Sequence, residues 1–369
     1  MHNAFSLGKI KEIEIKIHYS WFLIFFLVIW SLAQFYFPTN YPGWTNTIYW
    51  LSASVAAFFL FVSVLFHELS HSLVGKRHNI VVKSITLFVF GGVAEMVTEP
   101  KKPSDEFQMA VAGPLASFFL AGVFWVTTWF DIGLTGTAIV HYLFLINGIL
   151  GIFNLVPAFP LDGGRIFRSA LWAASSDIDR ATRRAVTVSR FIAFLLTLWG
   201  IKLLLDNNFV GGLWMIVISW FLVQAAGSSL KQQMMETVLA HVTIDGIMDR
   251  EFKKIPPKML LRDLAKAFLD YKQGGFPVEE GDKLIGLVTL QDLRSVPRVK
   301  WATTRVDAIM TGAEKLETLQ PTDTAYDAFL KLTNNDFGRL PVVENNKVIG
   351  LVTRNAIILL LAVKCDKFV

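Results

Sequence analysis

The sequence predicts a multi-pass α-helical membrane protein with six spans and a small membrane-associated β segment, followed by a cytosolic α/β domain built from two tandem repeats. Three observations carry this expectation. Of 369 residues 53% are hydrophobic, with 31 Phe and 11 Trp, far from the balance of a soluble globule. The apolar residues fall in runs long enough to cross a hydrocarbon layer of roughly 30 Å. Past Lys231 the composition turns soluble and a set of short motifs occurs twice.

The formal charge of +5 does not call for nucleic acid, because in such a chain Lys and Arg gather on the cytoplasmic side as topological anchors. The single cysteine, Cys365, excludes an internal disulfide and a cysteine-based metal site, so metal ligands must be His and carboxylate.

Residues 1–20 are short and polar, with Lys9, Lys11 and Lys16, and residues 21–37 form the first apolar span. Ser31 and Ala33 have the spacing of a signal-peptidase site, but Phe35, Tyr36 and Phe37 prolong the run, which favours a retained helix. Residues 38–46 lack Lys and Arg and are expected outside, so the second span, about 47–74, runs inward to Lys76 and Arg77. It contains His67-Glu68-Leu69-Ser70-His71. Residues four apart share a helix face, so both imidazoles can meet one zinc ion while Glu68 stands beside it as general base. At 1.5 Å per residue the site lies about 8–14 Å below the cytoplasmic boundary. Ionisable groups this deep are costly and therefore functional by default, the plainer reading being a polar cluster satisfied by neighbouring helices.

In residues 80–96, β-branched residues dominate and Gly91-Gly92 interrupts, which predicts strands or a hairpin. Such a hairpin is either a packed re-entrant plug or an exposed edge to which an extended peptide adds. The third span, 107–130, contains Gly113-Pro114 and small residues that permit close helix packing, a role sufficient for them. Residues 131–136 are again free of Lys and Arg, and a fourth span runs inward from about residue 138. It ends in Asn154, Pro157, Pro160, Leu161, Asp162, Gly163 and Gly164, where two prolines break the helix as polar residues appear. Broken backbone at membrane depth belongs inside protein or beside a wet cavity. Topology brings Asp162 to the side of His67 and His71. There it is a third metal ligand that leaves a position open for water, a partner of Arg165 in a helix-end clamp, or part of a turn.

The HELSH run, the Ala112-Gly113-Pro114 step and the N-x-x-P-x-x-P-L-D-G-G motif together resemble the site-2 protease family of intramembrane zinc metalloproteases, over about the first 225 residues. The resemblance implies zinc held by His67, His71 and Asp162, Glu68 as catalytic base, and cleavage of membrane-spanning proteins in regulated intramembrane proteolysis. It also implies substrate handling by Asn154 and by the strand segment around Gly91 and Gly92.

Residues 165–190, with Arg168, Arg180, Arg183 and Arg184, are expected as a cytoplasmic stretch, and 191–205 and 209–226 as an outgoing and returning pair of spans. Lys202, near the outer end of the fifth, can snorkel toward the headgroups. Both termini are then cytoplasmic in a cell-membrane protein.

In the soluble tail, Ile247-Met248 recurs as Ile309-Met310 and Phe276-Pro277-Val278 as Leu340-Pro341-Val342. Gly286-Leu287-Val288-Thr289 recurs as Gly350-Leu351-Val352-Thr353, an offset of 64 residues (350 − 286). Each unit reads as a helix (261–271; 324–332), a strand, a turn (280–282; 345–346), a second strand and a closing helix. This resembles a tandem CBS domain pair, a cytosolic module that in many families binds adenine nucleotides such as ATP, ADP or AMP. Thr289 supplies a hydroxyl for phosphate and Asp292 a carboxylate for ribose. In the second repeat Thr353 remains but Ala356 replaces the aspartate, so one competent site is expected. The alternative is a homodimerisation or docking module without a ligand.

The expected organisation is a protease domain at 1–230, a linker at 231–246 and CBS repeats at 247–298 and 299–364. The function read from it is zinc-dependent endoproteolysis of single-span membrane proteins under nucleotide control. The rival reading, a CBS-regulated ion transporter, does not explain a glutamate beside ligands at i, i+4 spacing.

Overall fold

The computed structural model describes residues 4–89, 91–96, 100–281, 283–334, 338–345 and 347–364. Cys365 lies outside the described residues, as do Asp282 and Asn346 of the two expected turns. The chain divides into two compact units, 1–231 and 232–369.

The first unit opens with a hairpin of β1 (Ala4–Ile10) and β2 (Ile13–His18), turning through Lys11 and Glu12 at φ 47° and 72°. This corrects the reading of residues 1–20 as a polar lead-in. Ile13, Ile15 and Ile17 alternate with Glu14, Lys16 and His18 in the period-2 pattern of a half-buried strand, and Ile13 and Ile15 are buried. β2 pairs in parallel with β3 (Val82–Phe88), whose antiparallel neighbour is β4 (Gly91–Met96), giving the order β1-β2-β3-β4. Parallel strands need a long crossover. Here it consists of the first two spans, α1 (Ser20–Asn40) and α2 (Asn46–Arg77). Ile13, Ile15 and Ile85 pack on Leu65, Leu69 and Leu73, which lie four apart along one face of α2, so the sheet is held against the helix that carries the two histidines.

α2 is capped at its start by Thr45, whose side chain accepts the Ile48 N–H at 3.5 Å. Lys76 and Arg77 occupy its last turn, and Asn79 at φ 60° follows. α3 (Pro103–Thr127) packs against α2, α4 (Gly133–Asn154) and α5 (Asp162–Ser175), and so lies at the centre of this unit. Ala53, Ala56 and Ala57 of α2 and Ala138 of α4 are fully buried together with Phe37 and Leu143, because small side chains let helices approach where burial alone cannot drive association. With α6 (Ile178–Leu205) and α7 (Phe209–Ala240), the described residues contain six helices long and apolar enough to cross a bilayer.

Residues 165–190, expected as an arginine-rich stretch, are helical: α5 ends at Ser176 with φ 56°, and Asp177 caps α6 by accepting the Arg180 N–H at 2.9 Å. α6 therefore starts at Ile178 rather than 191, and α7 continues to Ala240 rather than 226, because hydropathy marks where lipid begins and not where the helix does. The two touch through Gly200 and Gly212, where a Cβ on either would strike the other's carbonyl oxygen at 2.8 and 2.6 Å. The stretch expected as a linker, 231–246, consists of the last turns of α7 and the short turn Ile244–Gly246.

The second unit repeats itself. α8 (Leu261–Tyr271), β5 (Gly275–Glu280), β6 (Lys283–Thr289) and α9 (Leu290–Arg294) correspond to α10 (Ala325–Asn334), β8 (Arg339–Glu344), β9 (Lys347–Thr353) and α11 (Arg354–Lys364). Register is conserved between them, since Pro277 faces Leu287 as Pro341 faces Leu351, and a bulge follows both Val278 and Val342. The segments that lead into the repeats are exchanged. β7 (Thr311–Gly312), leading into the second repeat, pairs with β6 of the first, and Asp249, leading into the first, bridges Leu351 of the second. Gly286 and Gly350 lack the Cβ that would strike Met310 and Met248, so each methionine also packs into the opposite repeat.

Candidate active site

His67 and His71 lie one turn apart on α2, and Asp162 is the first residue of α5. Gly163 and Gly164 make that position possible: a Cβ on the first would overlap the Leu155 and Val156 carbonyls, and on the second the Ala158 and Phe159 backbone. Each imidazole turns one nitrogen to α3. His71 Nδ1 donates to the Met109 carbonyl at 2.6 Å, and His67 Nδ1 lies 2.9 Å from Ser117 Oγ. The remaining nitrogens converge with the carboxylate, His67 Nε2 and His71 Nε2 standing 3.1 and 3.2 Å from Asp162 Oδ2 and 3.1 Å from each other.

A carbonyl can only accept, so a neutral His71 carries its proton on Nδ1 and turns a lone pair on Nε2 toward the cluster. With His67 in the same tautomer, donating to Ser117, two lone pairs and a carboxylate oxygen face one another at about the 3.3 Å separation that a tetrahedral ion with 2.0–2.1 Å bonds imposes. The donor set therefore fits a zinc ion. Among the described residues, His67, His71 and Asp162 are the group of His, Cys, Asp and Glu found to bring its donor atoms within 4.8 Å of one another. Glu68 is outside it. Its side chain lies against β4, where a Cβ on Gly92 would collide with it.

Gly113 does more than pack helices: a Cβ there would overlap both imidazoles, so this glycine is what lets α3 pass alongside them. The Ala112-Gly113-Pro114 step was readable as a motif but not for this role, and the Ser117 and Met109 contacts carry no readable signal, since they join residues 50 and 38 positions apart and one partner is a backbone carbonyl.

The profile of peptidase family M50 matches residues 55–134 and 131–198, and that of the CBS domain matches 244–298 and 306–363. The chain is 32% identical to Rip3 of Mycobacterium tuberculosis over 360 residues, 96% of this chain and 91% of that protein. It is 30% identical to zinc metalloprotease MJ0392 of Methanocaldococcus jannaschii, over 97% of this chain and 96% of the relative. The chain belongs to peptidase family M50. A solved structure of a site-2 protease from Methanocaldococcus jannaschii is 33% identical, covering 61% of this chain and 94% of its own, with a TM-score of 0.43.

This M50 peptidase is thus a zinc metalloprotease that carries a CBS domain pair and, among its described residues, six helices long and apolar enough to cross a bilayer. The other expected site residues of the M50 chain lie as follows. Asn154, at the end of α4, donates to the Leu150 carbonyl at 3.1 Å and is not part of the His–Asp cluster. Gly91 has φ 125° with open space where a Cβ would stand. Arg165 lies 3.7 Å from Glu106, an ion pair that takes the place of the alternative clamp to Asp162. In the CBS pair, Thr289 and Asp292 form a capping box at α9: Asp292 Oδ2 accepts the Thr289 N–H at 2.7 Å and the hydroxyl at 2.8 Å. Thr353 plays the same part alone, accepting the Ala356 N–H at 3.2 Å.

Proposed function

We propose that this protein cleaves single-span membrane proteins within the bilayer, with zinc held by His67, His71 and Asp162 and with Glu68 as general base. The observation that carries the reading is the convergence of two imidazole nitrogens and a carboxylate oxygen beside a glutamate that is not one of them. A zinc ion held by His67, His71 and Asp162 would supply Lewis acidity toward a peptide carbonyl and would lower the pKa of water toward neutral. Glu68 takes the water proton and later delivers it to the leaving amine. Ser117 and the Met109 carbonyl keep the imidazoles turned inward.

A helical substrate hides its carbonyls in its own hydrogen bonds and must be unwound before attack. β4 is the last strand of its sheet and touches Glu68 through Gly92, so a substrate segment pairing along β4 regains those bonds beside the base. Asn154 is the further residue assigned to substrate handling.

The CBS pair takes an adenine nucleotide at the first repeat, through Thr289 and Asp292. It changes the cleavage rate by binding two arrangements of the module unequally. Both termini lie in the cytoplasm, and the CBS module also offers a homodimer contact.

The deciding experiment co-expresses candidate single-span substrates with wild type and with Glu68→Gln. The Gln variant keeps stoichiometric zinc and loses cleavage by on the order of 10²–10⁴-fold. His67→Ala and Asp162→Ala lose metal as well. Full proteolysis by the Gln variant, or ion flux without cleavage, refutes the mechanism.

A further inference from the structure

The three donors come from two separate helices. His67 and His71 belong to α2 and Asp162 to α5, and α3 packs between them. In the first turn of α3, Glu106 is completely buried. Arg168 of α5, 5% exposed, donates to its Oε1 from Nε at 2.8 Å and also from Nη2. The Arg168 guanidinium lies 5.0 Å over the ring of Phe159, in the proline-broken stretch that leads into Asp162. Glu106 stands one turn before Met109, whose carbonyl fixes His71, and Arg168 lies on the helix that Asp162 begins.

We propose that the buried Glu106–Arg168 pair is a positioning device that sets α5 against α3 and so brings Asp162 to the two histidines. The role rests on reading His67, His71 and Asp162 as the zinc ligands. Two charges taken out of water return little net stability compared with apolar residues of the same size, and their best-attested use is to fix register. A planar guanidinium that meets its carboxylate with two donors and stacks on an aromatic ring defines distance and orientation together. The pair touches neither metal nor substrate, and it acts through the carbonyl of Met109 on one side and the start of α5 on the other.

The test uses the full chain in detergent and three variants. Glu106→Asp keeps both charges but withdraws the carboxylate by one methylene. The double variant Glu106→Met with Arg168→Met removes the buried pair, and Arg165, the second cation 3.7 Å from Glu106, keeps partial exposure to solvent. Asp162→Ala is the control. Zinc affinity is read by competition with a chelator, and ligand geometry by the visible spectrum of the cobalt-loaded protein. The expected result is a zinc affinity about 10- to 100-fold weaker in both pair variants, the range for lost outer-shell support, with an altered cobalt spectrum. Wild-type affinity and spectrum in Glu106→Asp overturn the proposal, and so does failure of both pair variants to fold, which makes the pair a stabilising contact. Wild-type zinc binding by Asp162→Ala sinks the ligand assignment instead. Loss of zinc there, with Glu106→Asp unaffected, refutes the positioning role alone.

Discussion

Gly113 presents a hydrogen to two imidazoles where any other residue would place a carbon. In an ordinary helix, Gly→Ala favours the fold by about 1 kcal/mol. At this crowded position overpacking against the imidazoles outweighs that gain, so Gly113→Ala is expected to lower stability by about 1–3 kcal/mol while zinc content falls below stoichiometric, and metal analysis beside thermal unfolding followed by circular dichroism checks both halves. His67, Glu68 and His71 are readable because i, i+4 spacing is a local property of one helix. Asp162 needed a second motif 91 residues beyond His71, and spacing alone left a clamp and a turn open beside the ligand role. In the CBS pair, Asp292 has work to do with no ligand present, as half of a capping box. Asp292→Asn keeps an acceptor for the cap and removes the charge. It should bind adenine nucleotide more weakly than wild type by titration calorimetry on the whole protein, and its cleavage rate should no longer respond to nucleotide. Asp292→Ala should in addition lower module stability by about 1 kcal/mol.

Among the elements, β4 offers the sharpest test. Val93 faces Thr86 of β3 and is 43% exposed, and proline there removes a backbone donor and stiffens the strand. Val93→Pro is expected to reduce cleavage well beyond any change in zinc content, measured on the same preparation; normal cutting would end the strand-addition idea. Val89 is a poorer probe, because it follows β3 and its N–H donates to Ser20 Oγ at 3.3 Å. The hairpin at residues 80–96 was legible from β-branched content and the paired glycines. Its partners β1 and β2 were overlooked although 13–18 alternates strictly, since interleaved charge resembles a polar leader until a sheet is there to receive the isoleucines. Spans were legible wherever lipid contact makes the whole circumference apolar. α5 and the first turns of α6 escaped because one face is polar, and hydropathy averages that face away.

At the scale of the whole molecule, the boundary between protease and CBS units falls inside one helix, α7, rather than in a loop. Composition located the change of environment at Lys231, but helix propensity continues across it to Ala240. Within the CBS unit, the 64-residue offset predicted two similar halves (350 − 286), whereas the exchange of leading segments was invisible because each half pairs by the same local pattern. Gly350→Ala is expected to force Met248 out of its seat and destabilise the module by about 1–3 kcal/mol. Limited proteolysis of the full chain should then release fragments from both repeats and not from the second alone.

That exchange bears on inheritance. A substitution in the segment around Met248 or Met310 is felt in the half that did not mutate, and loss of either half strips a strand or a core residue from its twin. The two repeats are therefore expected to pass between proteins as a pair and not singly.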